Sequence, residues 1–166
     1  MTSSIAAEFE RLGPWVTSFE IDGHAYGGGY DAALRIGQFA ECFPGASTIL
    51  ELGSLEGGHS VCLAQLPGVS KVVSIEGRTE NIERARFVVK LLGLTNVEFV
   101  RANLEDFDLA SLGGFDAVFN CGLLYHLPEP WTLLQNVARM TDHMYLRDGA
   151  SPSRAGGLHL TTRRCQ

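Results

Sequence analysis

The sequence predicts an α/β protein with a doubly wound, mostly parallel sheet of about five strands. From Thr48 onward, short apolar runs alternate with helical patterns at intervals of roughly 20 to 25 residues, a pattern typical of consecutive βαβ units. Glycines and polar residues follow directly after these apolar runs. Doubly wound folds bind ligands beyond the carboxyl ends of their strands, so these residues are the candidate site.

Residues 1–30 are predicted to form an irregular cap that precedes the sheet. Within it, "FEIDGHAY" alternates around Asp22-Gly23, as expected for a hairpin. Residues 31–146 form the predicted ligand-binding domain, and it opens with a helix over 32–43 that Asp31 caps.

The predicted strands of this domain share an apolar character and have polar ends; they cover 48–52, 71–76, 97–101, 115–120 and 143–146. The helices between them are predicted over 58–65, over 80–92 with Thr79 as the cap, and over 131–140, with Trp131 facing inward. Residues 104–112 are predicted to be a loop or a short helix. Residues 147–166 are rich in Ser, Gly and Arg and are predicted to be an irregular tail.

Composition narrows the classes of function. The chain has 166 residues, of which 45% are hydrophobic, so one domain with a packed core is expected. Its net charge of −6 disfavours a broad nucleic-acid surface. No apolar run reaches the roughly 18 residues of a membrane span. Charged residues stand where a signal peptide would be apolar, so a cytoplasmic location is expected. Neither the four cysteines nor the five histidines have ligand spacing, and no metal site is predicted.

The first strand ends in the turn "ELGSLEGGHS". Its candidate ligand-binding residues are Glu51, Gly53, Ser54 and Gly57, because glycine lets a backbone approach a ligand closely and the following helix offers free N–H groups. Leu55 and Glu56 interrupt the turn, so it does not match the pyrophosphate motif G-x-G-x-x-G, and Glu56 is expected to repel a pyrophosphate. The alternative is an ordinary glycine-rich connection without a ligand.

The next two strand ends carry Glu76-Gly77 and Asn103-Leu104. A carboxylate at the end of the second strand can accept hydrogen bonds from both ribose hydroxyls, and an amide after the third can bind an adenine edge. The alternatives are a solvated loop acid and an Asx turn.

The fourth strand ends in "FNCGLLYHLPEP", where Asn120, Cys121 and Gly122 are expected to face the reacting end of the ligand. His126, with Tyr125 beside it, is the candidate general base because an imidazole titrates near neutrality. A histidine that is merely packed beside the pocket is the equally weighted alternative. Cys121 is disfavoured as a nucleophile because no base is paired with it in the sequence.

Taken in order, these strand ends resemble class I S-adenosylmethionine-dependent methyltransferases over about residues 14–146. The glycine motif of that class looks like "ELGSLEGG", its ribose acid matches Glu76 in "VVSIEGR", and its adenine position falls on Asn103. Its fourth-strand motif looks like "FDAVFNCGLLYHLPEPW". Within the class, "LLYHL" and "SLEGGHS" are most similar to the branch related to the tRNA wobble-uridine modifying enzymes.

The resemblance implies S-adenosylmethionine as cofactor and methyl transfer to a small molecule or an RNA base, the acceptor being undetermined. It also implies a sheet of seven strands, of which this chain supplies about five. The last two strands are expected to be missing, which leaves "HMYL" as an exposed edge and suggests a C-terminally truncated product.

Two further classes of function stay open. A truncated fold can hold a nucleoside without turnover. An NAD-dependent oxidoreductase shares this architecture, but Leu55 and Glu56 in the turn weigh against a dinucleotide.

Overall fold

The computed structural model describes residues 2–147 and 158–161. Its helices are α1 Thr2–Leu12, α2 Ala33–Cys42, α3 Gly58–Ala64, α4 Thr79–Leu91 and α5 Pro130–Met140. Its strands are β1 Ser18–Ile21, β2 His24–Gly27, β3 Thr48–Leu52, β4 Lys71–Glu76, β5 Val97–Arg101, β6 Ala117–Cys121, β7 His143–Arg147 and β8 Leu158–Thr161. Two short 3-10 helices cover Leu109–Leu112 and Leu124–His126.

The main sheet confirms the predicted doubly wound topology. Its strand order is β5-β4-β3-β6-β7-β8, and the first five of these strands are parallel to their neighbours. The chain runs from β3 outward to β5, then crosses to β6 on the other side of β3. The order therefore reverses between β3 and β6, which is where this architecture forms its ligand crevice.

The expectation of an exposed β7 edge is wrong. Strand β8 pairs with β7 in antiparallel orientation, with Met144 opposite Leu160. The predicted irregular tail therefore contains a strand at 158–161, and the rest of that tail lies outside the described residues. A four-residue strand that follows a polar stretch gives too weak a periodic signal to be assigned from sequence.

The two faces of the sheet pack against different helices. Ile49, Val72, Ala117, Phe119 and Tyr145 pack with residues of α2 and α3. The opposite face, including Leu50, Leu52, Val73 and Val118, packs against Leu133 and Val137 of α5 and against the first 3-10 helix. Trp131, expected to face inward, is 69% exposed, and Leu133 takes the buried position instead.

The N-terminal cap is more regular than expected, because α1 occupies Thr2–Leu12. Phe9 of α1 lies in an aromatic cluster with Trp15, Phe19, Tyr26 and Phe87 of α4. The predicted hairpin is confirmed, with Ile21 opposite His24. The cap is thus packed onto α4, and the domain division at residue 30 stays a prediction.

The helix caps were predicted with mixed success. The N-cap of α2 is Ala32 and not the predicted Asp31, although the Asp31 carboxylate accepts a hydrogen bond from the Ala33 N–H (2.9 Å) at the start of this helix. Thr79 does not cap α4: it is the first helical residue, and Arg78 before it makes no side-chain cap. Among the described residues, no helix combines the length and apolar character that a membrane crossing requires.

Candidate functional site

The carboxyl edge of the sheet brings the three predicted strand ends together. Strands β5, β4 and β3 are neighbours, so Asn103, Glu76 and Gly53 follow adjacent strands at the same edge. Strand β6 then places Asn120, Cys121 and Gly122 on the other side of β3. The side chains predicted to surround one ligand thus lie around the point where strand order reverses.

The first half of the glycine turn, Gly53–Leu55, faces this edge. Gly53 has a φ of +75°, and its N–H donates to the Ile75 carbonyl oxygen (2.9 Å). A Cβ on Gly53 would lie 3.1 Å from Cδ1 of Leu123, so Leu123 stands over the glycine from the β6 side. The buried Ser54 hydroxyl has no hydrogen-bond partner in the described structure.

The second half of the turn, Glu56–Gly58, packs against the protein itself. The Glu56 carboxylate is 1% exposed and accepts hydrogen bonds from the Val16 N–H (2.9 Å) and the Thr17 N–H (2.8 Å). The Arg84 guanidinium lies 3.8 Å from it. The expectation that Glu56 repels a ligand phosphate is therefore wrong, because this carboxylate anchors the cap.

Gly57 and Gly58 are required by packing. Gly57 has a φ of +80°, and a Cβ there would lie 2.8 Å from Cβ of Ala85 on α4. A Cβ on Gly58 would lie 2.4 Å from Cγ2 of Thr17. These contacts account for both glycines without a ligand, and a cofactor contact at Gly57 stays a prediction.

Glu76 links the turn to the end of β4. It is 9% exposed; its Oε2 accepts from the Leu55 N–H (2.8 Å) and its Oε1 from the Arg78 N–H (2.9 Å). Leu55 has a φ of +50°, so the carboxylate holds a residue in the sparsely populated left-handed region. Each carboxylate oxygen keeps a further lone pair for another donor. The neighbouring Gly77 is exposed.

Asn103 forms the Asx-type contact that was the alternative interpretation of this position. Its Oδ1 accepts from the Glu105 N–H at 3.3 Å, and the side chain is exposed. Its amide is therefore accessible at the edge next to Glu76. Leu104 is buried in the core below, which leaves its backbone as the part available to a ligand.

Glu51 lies in a polar cluster beneath the turn. Its Oε2 accepts hydrogen bonds from the hydroxyls of Ser60 and of Ser74, the latter at 2.7 Å. Its Oε1 has no hydrogen-bond partner among the described residues. Burial raises the pKa of this carboxyl to about 7, a rise that the two serine hydrogen bonds oppose and the charge of Glu76 assists.

His59 and Tyr30 border this cluster. His59 Nδ1 lies 3.8 Å from Glu51 Oε1, and His59 Nε2 is 3.1 Å from the Tyr30 hydroxyl. Burial, assisted by the positive charge of Arg35, lowers the His59 pKa to about 4. The imidazole is thus neutral at neutral pH, and its contact with Glu51 is not an ion pair. Sequence reasoning missed Tyr30 and His59, although "GGHS" placed a histidine in the first turn of α3.

The end of β6 holds a buried amide without a partner. Asn120 is 0% exposed, and neither its Oδ1 nor its Nδ2 makes a hydrogen bond in the described structure. Cys121 follows; burial raises the pKa of its thiol. Gly122 has a φ of +73° and donates its N–H to the Arg147 carbonyl oxygen (2.8 Å).

The proposed general base lies on the 3-10 helix after β6. Tyr125 is 63% exposed, and its ring centroid lies 4.1 Å from that of the exposed His126. The Tyr125 hydroxyl lies 3.6 Å from the position that a Cβ on Gly122 would take, so Tyr125 reaches the β6 end. Catalytic roles for both residues stay predictions.

Two cavities lie away from this edge. One of about 290 Å³ lies beside α5 and is lined by Trp131, Leu134 and Met144 among others. Another of about 570 Å³ lies at the amino ends of the strands, near Phe43 and Asp116. Neither is lined by the predicted site residues.

The fold is that of a doubly wound α/β protein, and the predicted site residues lie around the point where its strand order reverses. The family described as "Methyltransferase domain" matches residues 45–147. The chain belongs to this methyltransferase family.

Three similar proteins can be compared with this chain in more detail. The N-terminal domain of EvdMO1, crystallised with SAH bound, is 44% identical over 87% of this chain and 64% of that one, with a TM-score of 0.80. A second structure of that domain, in the presence of SAH and D-fucose, is 46% identical over 87% and 63%, with a TM-score of 0.79. An uncharacterised protein of Rickettsia prowazekii, RP789, is 34% identical over 83 residues, which are 50% of this chain and 15% of that protein. The chain thus spans less than two thirds of each.

Proposed function

We propose that this chain is the donor-binding domain of an S-adenosylmethionine-dependent methyltransferase. The observation that carries the proposal is the meeting of Gly53, Glu76 and Asn103 on three adjacent parallel strands. The structure with SAH bound supports it, because that domain is 44% identical to this chain over 64% of its own length.

The unpartnered polar atoms fit the chemistry of this donor. In the proposed complex Glu76, with Gly77 beside it, accepts from the ribose hydroxyls, and Asn103 with the Leu104 backbone binds the adenine. The free Oε1 of Glu51 and the hydroxyl of Ser54 are matched to the ammonium group at the amino-acid end. A cation there favours the charged form of Glu51 and draws its pKa down from about 7.

The donor, when bound, supplies an electrophilic methyl group on a sulfonium sulfur. The chain's own contribution is orientation and exclusion of water. In the proposed complex Cys121, Gly122 and the Asn120 amide border the reacting end. Leu123, whose Cδ1 lies 3.1 Å from the Cβ position of Gly53, is proposed to close it. Tyr125 and His126 are assigned to the acceptor, with His126 taking its proton where the acceptor must lose one.

The proposed acceptor is a small hydroxylated molecule such as a sugar. Support comes from the 46% identical domain whose structure was obtained in the presence of SAH and D-fucose. The net charge of −6 suits a small acceptor better than RNA. Transfer RNA, the acceptor suggested by the wobble-uridine resemblance, is the second acceptor to assay. Function in the cytoplasm is part of the same proposal.

Calorimetry with S-adenosylhomocysteine and with NAD tests the class of ligand. The proposal predicts binding of S-adenosylhomocysteine in the micromolar range and no detectable binding of NAD. Preferential NAD binding would replace the proposal with the oxidoreductase alternative. Methyl transfer from radiolabelled donor to D-fucose or to tRNA would then establish an active enzyme, because a binding module holds the donor and transfers nothing to any acceptor.

A further inference from the structure

Two arginines from distant parts of the chain converge at the end of β6. Arg35 of α2 directs its Nη1 to the Cys121 sulfur at 3.6 Å. Arg147 ends β7 directly opposite Cys121 in the strand register, and its Nη1 donates to Gln38 Oε1 at 3.0 Å. Both guanidinium groups are partly buried and lie on the face of the sheet that α2 covers.

Neither guanidinium group has an anionic partner within 4.0 Å among the described residues. Their polar contacts are uncharged: the Gln38 amide oxygen and the Cys121 thiol, whose pKa burial raises. The nearby Asp31 uses its carboxylate to accept from the Ala33 N–H. Half-buried cations that have no counter-ion among the described residues are costly, and a bound anion removes that cost.

The two arginines lie too far from the proposed adenosine site to bind the adenosine part of the donor. Adenosine is proposed at β3, β4 and β5, whereas Arg147 ends β7, which is two strands beyond β3. Neighbouring strands lie about 4.8 Å apart, so Arg147 is on the order of 10 Å from the glycine turn across the sheet. Arg147 therefore lies on the far side of the reacting end from the proposed adenosine site, and Arg35 reaches the reacting end itself through its contact with Cys121.

We propose that Arg35 and Arg147 bind an acidic group, a phosphate or a carboxylate, carried by the methyl acceptor. This inference rests on the proposed methyltransferase function. Planar guanidinium groups bind such anions through two parallel hydrogen bonds. Specificity for a sugar phosphate or a sugar acid over a neutral sugar follows.

Calorimetry with inorganic phosphate tests the pair directly. Wild-type protein saturated with S-adenosylhomocysteine is titrated with phosphate, and Arg35→Gln, Arg147→Gln and the exposed control Arg139→Gln are treated in the same way. Phosphate should bind the wild type and the control with millimolar affinity and should bind either site variant at least about tenfold more weakly. Thermal melting of each variant checks that it is folded.

The other outcomes overturn the proposal in distinguishable ways. If phosphate affinity is unchanged in both site variants, or if the wild type does not bind phosphate, the two arginines have a structural role and the proposal is wrong. The donor's own carboxylate is the anion if the variants weaken S-adenosylhomocysteine binding tenfold but leave adenosine binding unchanged. Failure of wild type to bind S-adenosylhomocysteine contradicts the proposed function instead, and phosphate titration of the unliganded protein then still tests the pair.

Discussion

The two halves of the glycine turn after β3 have different surroundings. Gly53–Leu55 present backbone and an unpartnered hydroxyl to the carboxyl edge of the sheet. Glu56–Gly58, the next three residues, are buried against the cap and α4. A run that looks like one ligand-binding motif in the sequence thus divides into a proposed ligand surface and a segment that packs against the protein itself.

The same contrast separates the two glutamates that flank Leu55 in space. Glu76 uses one acceptor site on each oxygen for backbone N–H groups and keeps 9% of its surface exposed at the ligand edge. Glu56 is enclosed by the backbone of Val16 and Thr17 and by Arg84. The residue type does not distinguish the two glutamates; their burial and their hydrogen-bond partners do.

The largest expected effect comes from removing the packing carboxylate. Glu56→Ala leaves two buried N–H groups and the Arg84 guanidinium without their acceptor, and the free energy of unfolding should fall by about 3–5 kcal/mol. Urea denaturation measures this loss. The exposed Glu98, paired with Lys71 at 3.2 Å, is the control, and Glu98→Ala should cost less than about 1 kcal/mol. Equal losses in the two variants would contradict the anchoring role of Glu56.

A pH-dependent effect is expected at Glu51, the carboxylate that precedes the turn. Its pKa is raised from 4.5 to about 7, so the folded state binds this proton more tightly than the unfolded state, and the stability that Glu51 contributes falls as pH rises through this range. In Glu51→Gln this side chain does not titrate. The free energy of unfolding of the variant, relative to that of the wild type, should therefore rise by up to roughly 3 kcal/mol between pH 5 and pH 8.

Denaturation of both proteins at the two pH values measures that gain. His59, with its pKa lowered to about 4, is present in both proteins, and its contribution largely cancels in the difference. A stability difference that is constant between pH 5 and pH 8 would show that Glu51 is charged throughout in the folded protein.

A smaller effect separates strain from packing at the glycines. Gly57 and Gly68 have similar φ values of +80° and +84°, but a Cβ would meet Ala85 at 2.8 Å in the first and nothing within 4 Å in the second. Gly68→Ala should cost about 1 kcal/mol from backbone strain alone. Gly57→Ala should cost roughly 1–3 kcal/mol more, because the methyl group overpacks the α4 contact. Equal melting temperatures for the two variants would show that Ala85 can move away from the added methyl group at no cost in stability.

Much of the fold could be predicted because its signals are local. The strand from Lys71 to Glu76 and the helix around Thr79–Leu91 each carry their own apolar periodicity, so their bounds were predicted within one residue. Helix α1 was missed although Ile5 and Phe9 have helical spacing, because residues 1–30 were assigned as a whole to an irregular cap. Strand β8 depends on pairing with β7, which no local pattern reveals.

The site was predictable only as far as chain topology fixes it. Parallel neighbours carry Gly53, Glu76 and Asn103 to one edge, which the order of strands and helices implied. The anchoring of Glu56 by residues 40 positions earlier and the contact of Tyr30 with His59 depend on how the cap folds back. Such contacts leave no periodic trace in the sequence.

The affinity of Glu76 variants for S-adenosylhomocysteine tests the central claim most directly. If Glu76 accepts the ribose hydroxyls, Glu76→Ala should weaken binding by about tenfold or more through loss of charge-assisted hydrogen bonds. Glu76→Gln, which can still accept from the Leu55 N–H, should fall between Ala and wild type, and Glu98→Ala should bind as wild type does. Wild-type affinity in a folded Glu76→Ala protein would contradict the account, because the adenosine would then lie somewhere other than the shared edge of β3, β4 and β5.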